Sequence, residues 1–373
     1  MPAIDSSSEV IPEGQLLDVG IVIFDPGLDD YDEDERVYAE VRKAEARFMP
    51  NLLSQAMQES GAWGAVRVVP DPERISDLIV TGKIIHSDGE SLEIDIHAQD
   101  SRGYEWLDKS YKGKASAYAY RSSTRSSYDP FQAVYNTIAN DLLKAHSKLR
   151  PEDRENVRLT TELLFAQSFS PDSFDGYLAK NRSGVYLVMR LPAEGDPMLE
   201  RIDTIRERDN IYVDTMQEHY NSFGIEMIGP YQQWRKLSYE EAVAQQELEA
   251  EARRRLIVGA VAVAAGIAGM GSSDSSSRAA GNVAVIGGGY LLKSGLEKRN
   301  EAQIHVQALE ELGMSLEAEI TPQVIDLEDR SITLSGNVEE QYAQWRELLA
   351  DIYATEIGSL EGLEDSPSTP DTL

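Results

Sequence analysis

Apolar residues recur along this chain with two different periods, and the switches between them mark its elements. Leu16–Phe24 is mostly apolar and ends at Asp25-Pro26-Gly27, which predicts a buried strand closed by a turn. From Glu33 to Ser60, Val41, Ala44, Phe48, Leu52, Gln55 and Ala56 recur at spacings of three and four, predicting a helix kinked or divided at Pro50 and stopped by Gly61. Ala65–Val69 and Leu78–His86 read as strands. After the turn Ser87-Asp88-Gly89-Glu90, Leu92, Ile94 and Ile96 alternate with Glu93, Asp95 and His97, as in a strand buried on one face. A turn at Ser101-Arg102-Gly103 leads into a further strand, Tyr104–Lys114. A helix over Pro130–Leu149, with Phe131, Val134, Ile138, Leu142 and Ala145 on one stripe and Asp129 as cap, completes the order β-α-β-β-β-β-α for residues 15–150.

Residues 151–252 read as a helical module. A helix is expected around Asn156–Gln167 and a strand over Gly184–Leu191. A second helix starts at Asp196-Pro197 and runs along Ile202, Ile205, Asp209, Val213 and Met216 to about Ser222. Gly224 and Gly229-Pro230 are expected to break it, with a new helical run from Tyr231 to Glu251. Tyr212, Tyr220, Tyr231 and Trp234 are expected to pack between helices.

Residues 253–300 form the most apolar stretch. Arg253, Arg254 and Arg255 precede Leu256–Met270, which carries no charge. A polar loop, Gly271–Arg278, leads to uncharged Ala279–Leu292, and Lys293, Lys298 and Arg299 come after it. This is the pattern of a helical hairpin with basic outer flanks. Gly259, Ala262, Gly266 and Gly269 are spaced 3, 4, 3, and Gly281, Ala284, Gly288 and Gly295 are spaced 3, 4, 7, so each set forms one stripe along which backbones can approach closely. Fifteen residues reach about 22 Å, short of a typical hydrocarbon core but near the thinner apolar band of an outer membrane. Insertion into a membrane, a re-entrant segment and a buried or oligomeric hairpin all stay open. In residues 301–357 a helix (Glu297–Leu312), strands at Leu316–Ile325 and Ile332–Leu334, and a helix over Val338–Ile352 with Tyr342, Trp345, Leu348 and Leu349 inward give a small α-β-β-α unit. The fold class is therefore α+β: an N-terminal mixed sheet with packed helices, a helical middle with the glycine-rich hairpin, and the small C-terminal unit. Residues 1–14 and the acidic tail 358–373 are expected to be disordered.

Charge sharpens this division. The chain has 373 residues, a formal net charge of −30 and no cysteine. Residues 1–40 and 351–373 hold −17 of that charge, whereas the 253–300 stretch carries seven basic and two acidic residues. Such an acidic chain is a poor match for nucleic acid, and the missing cysteine excludes disulfides and thiolate chemistry. The acidic run Asp29–Glu35 lacks the glycine and the spaced final Glu of an EF-hand loop.

Several segments resemble a known family. Val19–Phe24, Asn51–Met57 leading to Gly61 and the Val66–Val69 strand, Ser76–Ile84, and Leu92–Asp100 with Arg102-Gly103 and Trp106 after it are similar to the domain shared by the curli-secretion lipoprotein, the periplasmic lipoprotein activators of penicillin-binding proteins and a flagellar outer-membrane lipoprotein. The resemblance covers about 130 residues. It implies a secreted, usually lipid-anchored protein acting as scaffold, activator or channel subunit. The chain departs from the family in having no cysteine, and Met1–Gln15 has neither a basic nor an apolar signal region. Its Ser-rich acidic start resembles the segment just after a lipidated cysteine, so a form trimmed past that residue is expected. The only candidate for the family's membrane hairpins, Ala115–Tyr128, is too short and too rich in Ser and Arg. The paired small-residue segments resemble glycine-zipper envelope proteins, and Ser331–Val338 looks like a segment of periplasmic phospholipid-binding (BON-type) domains.

Catalytic signals are weak throughout. No two of His86, His97, His146, His219 and His305 stand four apart, and across their hairpin His86 is expected opposite Ser91 and His97 opposite Val80. Val283–Tyr290 imitates a dinucleotide-binding turn, but Leu292 occupies the place of the third glycine. The expectation is a non-enzymatic envelope accessory protein, periplasmic and outer-membrane-associated, with no cofactor, metal or nucleotide. Its expected partners are other envelope proteins, further copies of itself and a membrane. The alternatives are an oligomeric pore or export subunit, and an inner-membrane protein with cytoplasmic domains.

Overall fold

The computed structural model describes residues 2–6, 11–29, 38–71, 73–121, 129–268, 306–308, 310–311, 314, 323–326 and 331–364. Its architecture is α+β. Strands β1 (Val19–Val22), β2 (Val66–Val69), β3 (Leu78–Ser87), β4 (Ser91–Asp100) and β5 (Glu105–Lys114) form one sheet in the order β2-β1-β3-β4-β5. β1 runs parallel to both β2 and β3, and β3-β4-β5 is an antiparallel meander. Helix α1 (Ala39–Glu59) makes the crossover between β1 and β2, and α2 (Gln132–His146) comes after β5. Val19 and Ile21 of β1, Ile94 and Ile96 of β4, Met49 and Leu53 of α1, and Ile138 and Leu142 of α2 pack into one apolar core. Full burial of each such side chain is worth about 1.5–3 kcal/mol.

The alternation at 92–97 places Leu92, Ile94 and Ile96 in this core, as predicted. Pro50 does not divide α1: it lies inside a single helix, where Met49, Pro50 and Leu53 are all buried. In the β3–β4 hairpin His86 faces Glu93, because the register shifts between Ile84 and His86, and His97 faces Thr81. The two histidines do not meet.

Helix α3 (Pro151–Phe169) starts on Pro151, and the middle strand is shorter than expected. Only Tyr186–Val188 (β7) pairs, against Leu178–Lys180 (β6), a strand too brief to show in the sequence pattern. The largest departure is helix α4, which runs unbroken from Pro197 to Ala268, 72 residues through Gly224, Gly229 and Pro230. Asp196 caps it, accepting bonds from the amides of Met198 (2.9 Å) and Leu199 (3.4 Å). Proline removes one helical hydrogen bond, but Met227, Tyr231 and Trp234 on either side are buried and hold the axis in place. Gly224 is a packing site: a Cβ there would overlap the Asn51 amide of α1.

β8 (Gln323–Asp326) and β9 (Ser331–Leu334) pair antiparallel, and α5 (Val338–Glu364) extends past the expected Ile352. Tyr342, Trp345, Leu348 and Leu349 are buried, as expected. The helix expected over Glu297–Leu312 falls largely outside the described residues. A second core joins Val22, Val68 and Val69 of the sheet and Phe48 of α1 to Leu163 of α3, Ile205, Val213 and Met216 of α4, and Leu349 of α5. Packing therefore crosses the sequence boundaries at 150 and 252.

Candidate functional site

The feature that organises the molecule is the seam along which α4 docks on the sheet and α1. Its stripe Ile202, Ile205, Asp209, Val213, Met216 is buried throughout, including the carboxylate. Asp209 is answered by the Arg74 guanidinium from the β2–β3 connection and by Trp345 Nε1 of α5 at 3.3 Å. Arg74 also donates to the Tyr342 hydroxyl (3.1 Å) and to Asn210 Oδ1 (2.7 Å). Burial works against the Arg74 charge, but Asp209 and Tyr342 together outweigh it and hold the guanidinium above its ordinary range. One turn further, Arg67 of β2 makes a two-pronged pair with Asp214, and Gln217 Oε1 accepts the Val68 amide at 2.7 Å, covering the sheet's edge strand.

The far end of the seam is a buried polar lock. Glu45 of α1 accepts bonds from Ser87 Oγ and the Tyr231 hydroxyl, and Arg235 donates to Tyr231. Arg235 is fully buried, 3.5 Å from Glu45 and 3.5 Å from Asp129, with its guanidinium 4.4 Å from the ring centres of both Phe131 and Tyr231. Burial holds the Tyr231 phenol well above its ordinary range, so it stays neutral and can donate to Glu45. Gly89 in the β3–β4 turn donates its amide to Ser238 Oγ (3.1 Å), and a Cβ there would strike the backbone of Arg235 and Tyr239. Tyr120 donates to the Gly89 carbonyl and its ring lies 5.0 Å from Tyr239.

A polar cleft of about 220 Å³ opens beside the Arg74 node, with Asp18, Arg67, Arg74, Arg158, Glu162 and Arg206 in its lining. Each of these arginines already has a partner. Arg67 has Asp214 and Arg74 has Asp209, Arg158 donates to the carbonyls of Glu13 (3.0 Å) and Leu16 (2.7 Å), and Arg206 pairs with Asp203 at 3.2 Å. On the open sheet face His97, Glu105 and Asp108 bring three potential ligand atoms within 4.8 Å of one another. Exposed acidic groups of this kind are common without an ion, and the trio carries no assignment. The sequence pattern could not reveal it, since its members meet only across the β4–β5 pairing.

Of the residues singled out from sequence, Arg253, Arg254, Arg255, Gly259, Ala262 and Gly266 lie on α4, where positions 259, 262 and 266 share one face. The first apolar arm is thus the end of a long helix, not a separate one. Gly269, Gly281, Ala284, Gly288, Gly295, Lys293, Lys298 and Arg299 lie outside the described residues. Among the described residues no helix is long and apolar enough to cross a membrane. Of the four aromatics expected to pack between helices, Tyr212 stacks on Trp345 of α5 at 4.7 Å and Tyr231 meets Phe48 of α1 edge-on at 5.2 Å, while Tyr220 and Trp234 are buried. The segment that carried the turn of the family resemblance is organised by Asp100, which accepts bonds from the Arg102 and Tyr104 amides, the Arg102 guanidinium and Trp106 Nε1. No protein-family model matches this chain, and no curated protein matches it.

Proposed function

We propose that this chain is an envelope accessory protein that acts as a scaffold, its sheet domain binding a partner while α4 carries a small-residue apolar segment to a membrane surface or to further copies of itself. The reading is supported chiefly by the continuity of α4. The helix is clamped to the sheet by Asp209, Asp214, Tyr231 and Arg235, and then runs on through Arg253–Arg255 into the uncharged residues from Leu256. From Tyr239 to Ala268 it extends on the order of 40 Å. A rigid arm of this kind holds the domain at a set distance from whatever its end contacts. Basic residues directly before an apolar segment suit an anionic headgroup layer. The outer-membrane location and the lipid anchor rest on the family resemblance.

Fractionation of cells making the untagged full chain tests this. The protein is expected with the outer-membrane fraction, released by detergent and not by high salt alone. Recovery in the cytosol would overturn the proposal.

A further inference from the structure

The chain carries 65 acidic and 35 basic side chains, yet residues 177–193 hold Lys180, Arg182 and Arg190 and no acid. This stretch contains the β6–β7 hairpin. Its turn is set by Asn181 Oδ1, which accepts the amides of Ser183 (2.8 Å) and Val185 (3.0 Å), and by Gly184 at φ +81°. One side of the hairpin docks on the protein: Tyr177 and Val185 are buried, and Leu178 and Val188 pack against the second core. Two further bonds fix it, from the Tyr186 amide to the Arg102 carbonyl (2.7 Å) and from the Met189 amide to the Tyr177 carbonyl (2.8 Å). The alternate positions Leu187, Met189 and Leu191 are 47%, 63% and 69% exposed. A docked hairpin thus holds three large aliphatic side chains in water.

Cations flank them. Lys180 lies over the Tyr186 ring at 4.5 Å and Arg190 over the Tyr177 ring at 3.9 Å. Among the described residues no carboxylate pairs with Lys180, Arg182 or Arg190. An exposed apolar patch rimmed by polar groups marks a contact surface. The net charge of −30 opposes approach to an anionic surface, but charges further away than about 8 Å are largely screened at physiological salt, so the hairpin's own cations decide. We infer that the β6–β7 hairpin is a docking surface for an anionic phospholipid layer. Leu187, Met189 and Leu191 enter the interface, and Lys180, Arg182 and Arg190 meet the headgroup phosphates. The exposed apolar set is wholly aliphatic, which suits lipid better than a folded partner, whose hot spots centre on Trp and Tyr. This contact is separate from the one proposed for α4, because the hairpin adjoins the start of that helix and the apolar residues from Leu256 lie at its other end.

The chain has no cysteine, so Met189→Cys in the full chain places one environment-sensitive fluorophore on the hairpin, and Ile225→Cys places it on an exposed position of α4 as a reference. With vesicles containing phosphatidylglycerol, the label at 189 should shift its emission to the blue and become shielded from an aqueous quencher, while the label at 225 stays unchanged. Vesicles of phosphatidylcholine alone should give a response weaker by roughly tenfold or more. Lys180→Glu with Arg182→Glu should weaken the response to the anionic vesicles by a similar factor. Leu187→Ser with Leu191→Ser should do the same and serves if the charge variant does not fold. An unchanged label at 189 overturns the inference. If the chain still sediments with the vesicles in that case, the arm alone makes the contact, so the two readings fail separately. An equal response to neutral vesicles or in a folded charge variant, or an equal response to polyglutamate, which would make the occupant an acidic protein, also overturns it.

Discussion

Arg235 and Arg154 are both withdrawn from water, and their surroundings differ in kind. Arg235 reaches Glu45 and Asp129 and lies between the rings of Phe131 and Tyr231, joining α4 to α1 and to the start of α2. Arg154 has a backbone carbonyl, an orphaned histidine and a cavity. Desolvating a guanidinium costs several kcal/mol in either place. At Arg235 the protein itself supplies the offset, so the group is architectural. At Arg154 the described residues supply a backbone carbonyl but no carboxylate. In the cleft beside Arg74, Arg67, Arg74 and Arg206 pair with carboxylates as Arg235 does, and Arg158 donates to two backbone carbonyls.

The contrast is most exposed at Arg235. Arg235→Met should lose about 3–5 kcal/mol in urea denaturation, because Asp129 is left without this cation and buried Glu45 keeps only Arg42, 3.8 Å away. Replacing both, Glu45→Leu with Arg235→Met, should recover only part of that loss, because buried Arg42 then loses Glu45 and Asp129 stays without Arg235. A single-variant loss below about 1 kcal/mol would show that the lock is not structural.

The next effect is acid sensitivity at His146. Its folded pKa of about 4 lies below the ordinary 6.5, so the unfolded chain takes up this proton first as pH falls. Its contribution is therefore intact above about pH 6.5 and is lost between there and about pH 4, up to about 3 kcal/mol in all. Burial raises the Asp77 and Glu162 carboxyls, and these act in the opposite direction, adding stability on acidification. Comparing the wild type with His146→Phe at pH 7 and pH 5 isolates the histidine, and the variant should lose less on acidification. Smallest is Arg154→Met, expected to change stability by less than about 1 kcal/mol or to raise it, since it removes a buried charge that no carboxylate among the described residues pairs with. A loss like that of Arg235→Met would mean that Arg154 has a structural partner and would erase the distinction.

Local pattern made much of the first domain legible. Alternation at Leu92–His97 marked a half-buried strand, and the turn residues at 87–90 and 101–103 placed the meander's corners. The stripe on α4 was legible too, Asp209 included, but the cation that answers its carboxylate, Arg74, was not. What the pattern could not do was weigh a local penalty against tertiary packing. Gly224 and Pro230 were expected to stop α4, yet Asn51 fills the space left by one and buried Met227, Tyr231 and Trp234 hold the helix across the other.

Periodicity and composition were enough for the α+β class, the order of strands and helices in the first domain, the inward faces of α4 and α5, and the concentration of positive charge around one apolar stretch. These properties arise from neighbours a few residues apart, so a linear pattern contains them. Three-dimensional packing was needed to make α4 one helix, and to bring Glu45 to Arg235 across an interval of 190 residues. It also puts Arg154 and His146, on different helices, around one cavity while most other buried charges are paired. Those outcomes depend on which groups are desolvated together, and a one-dimensional pattern holds no record of that.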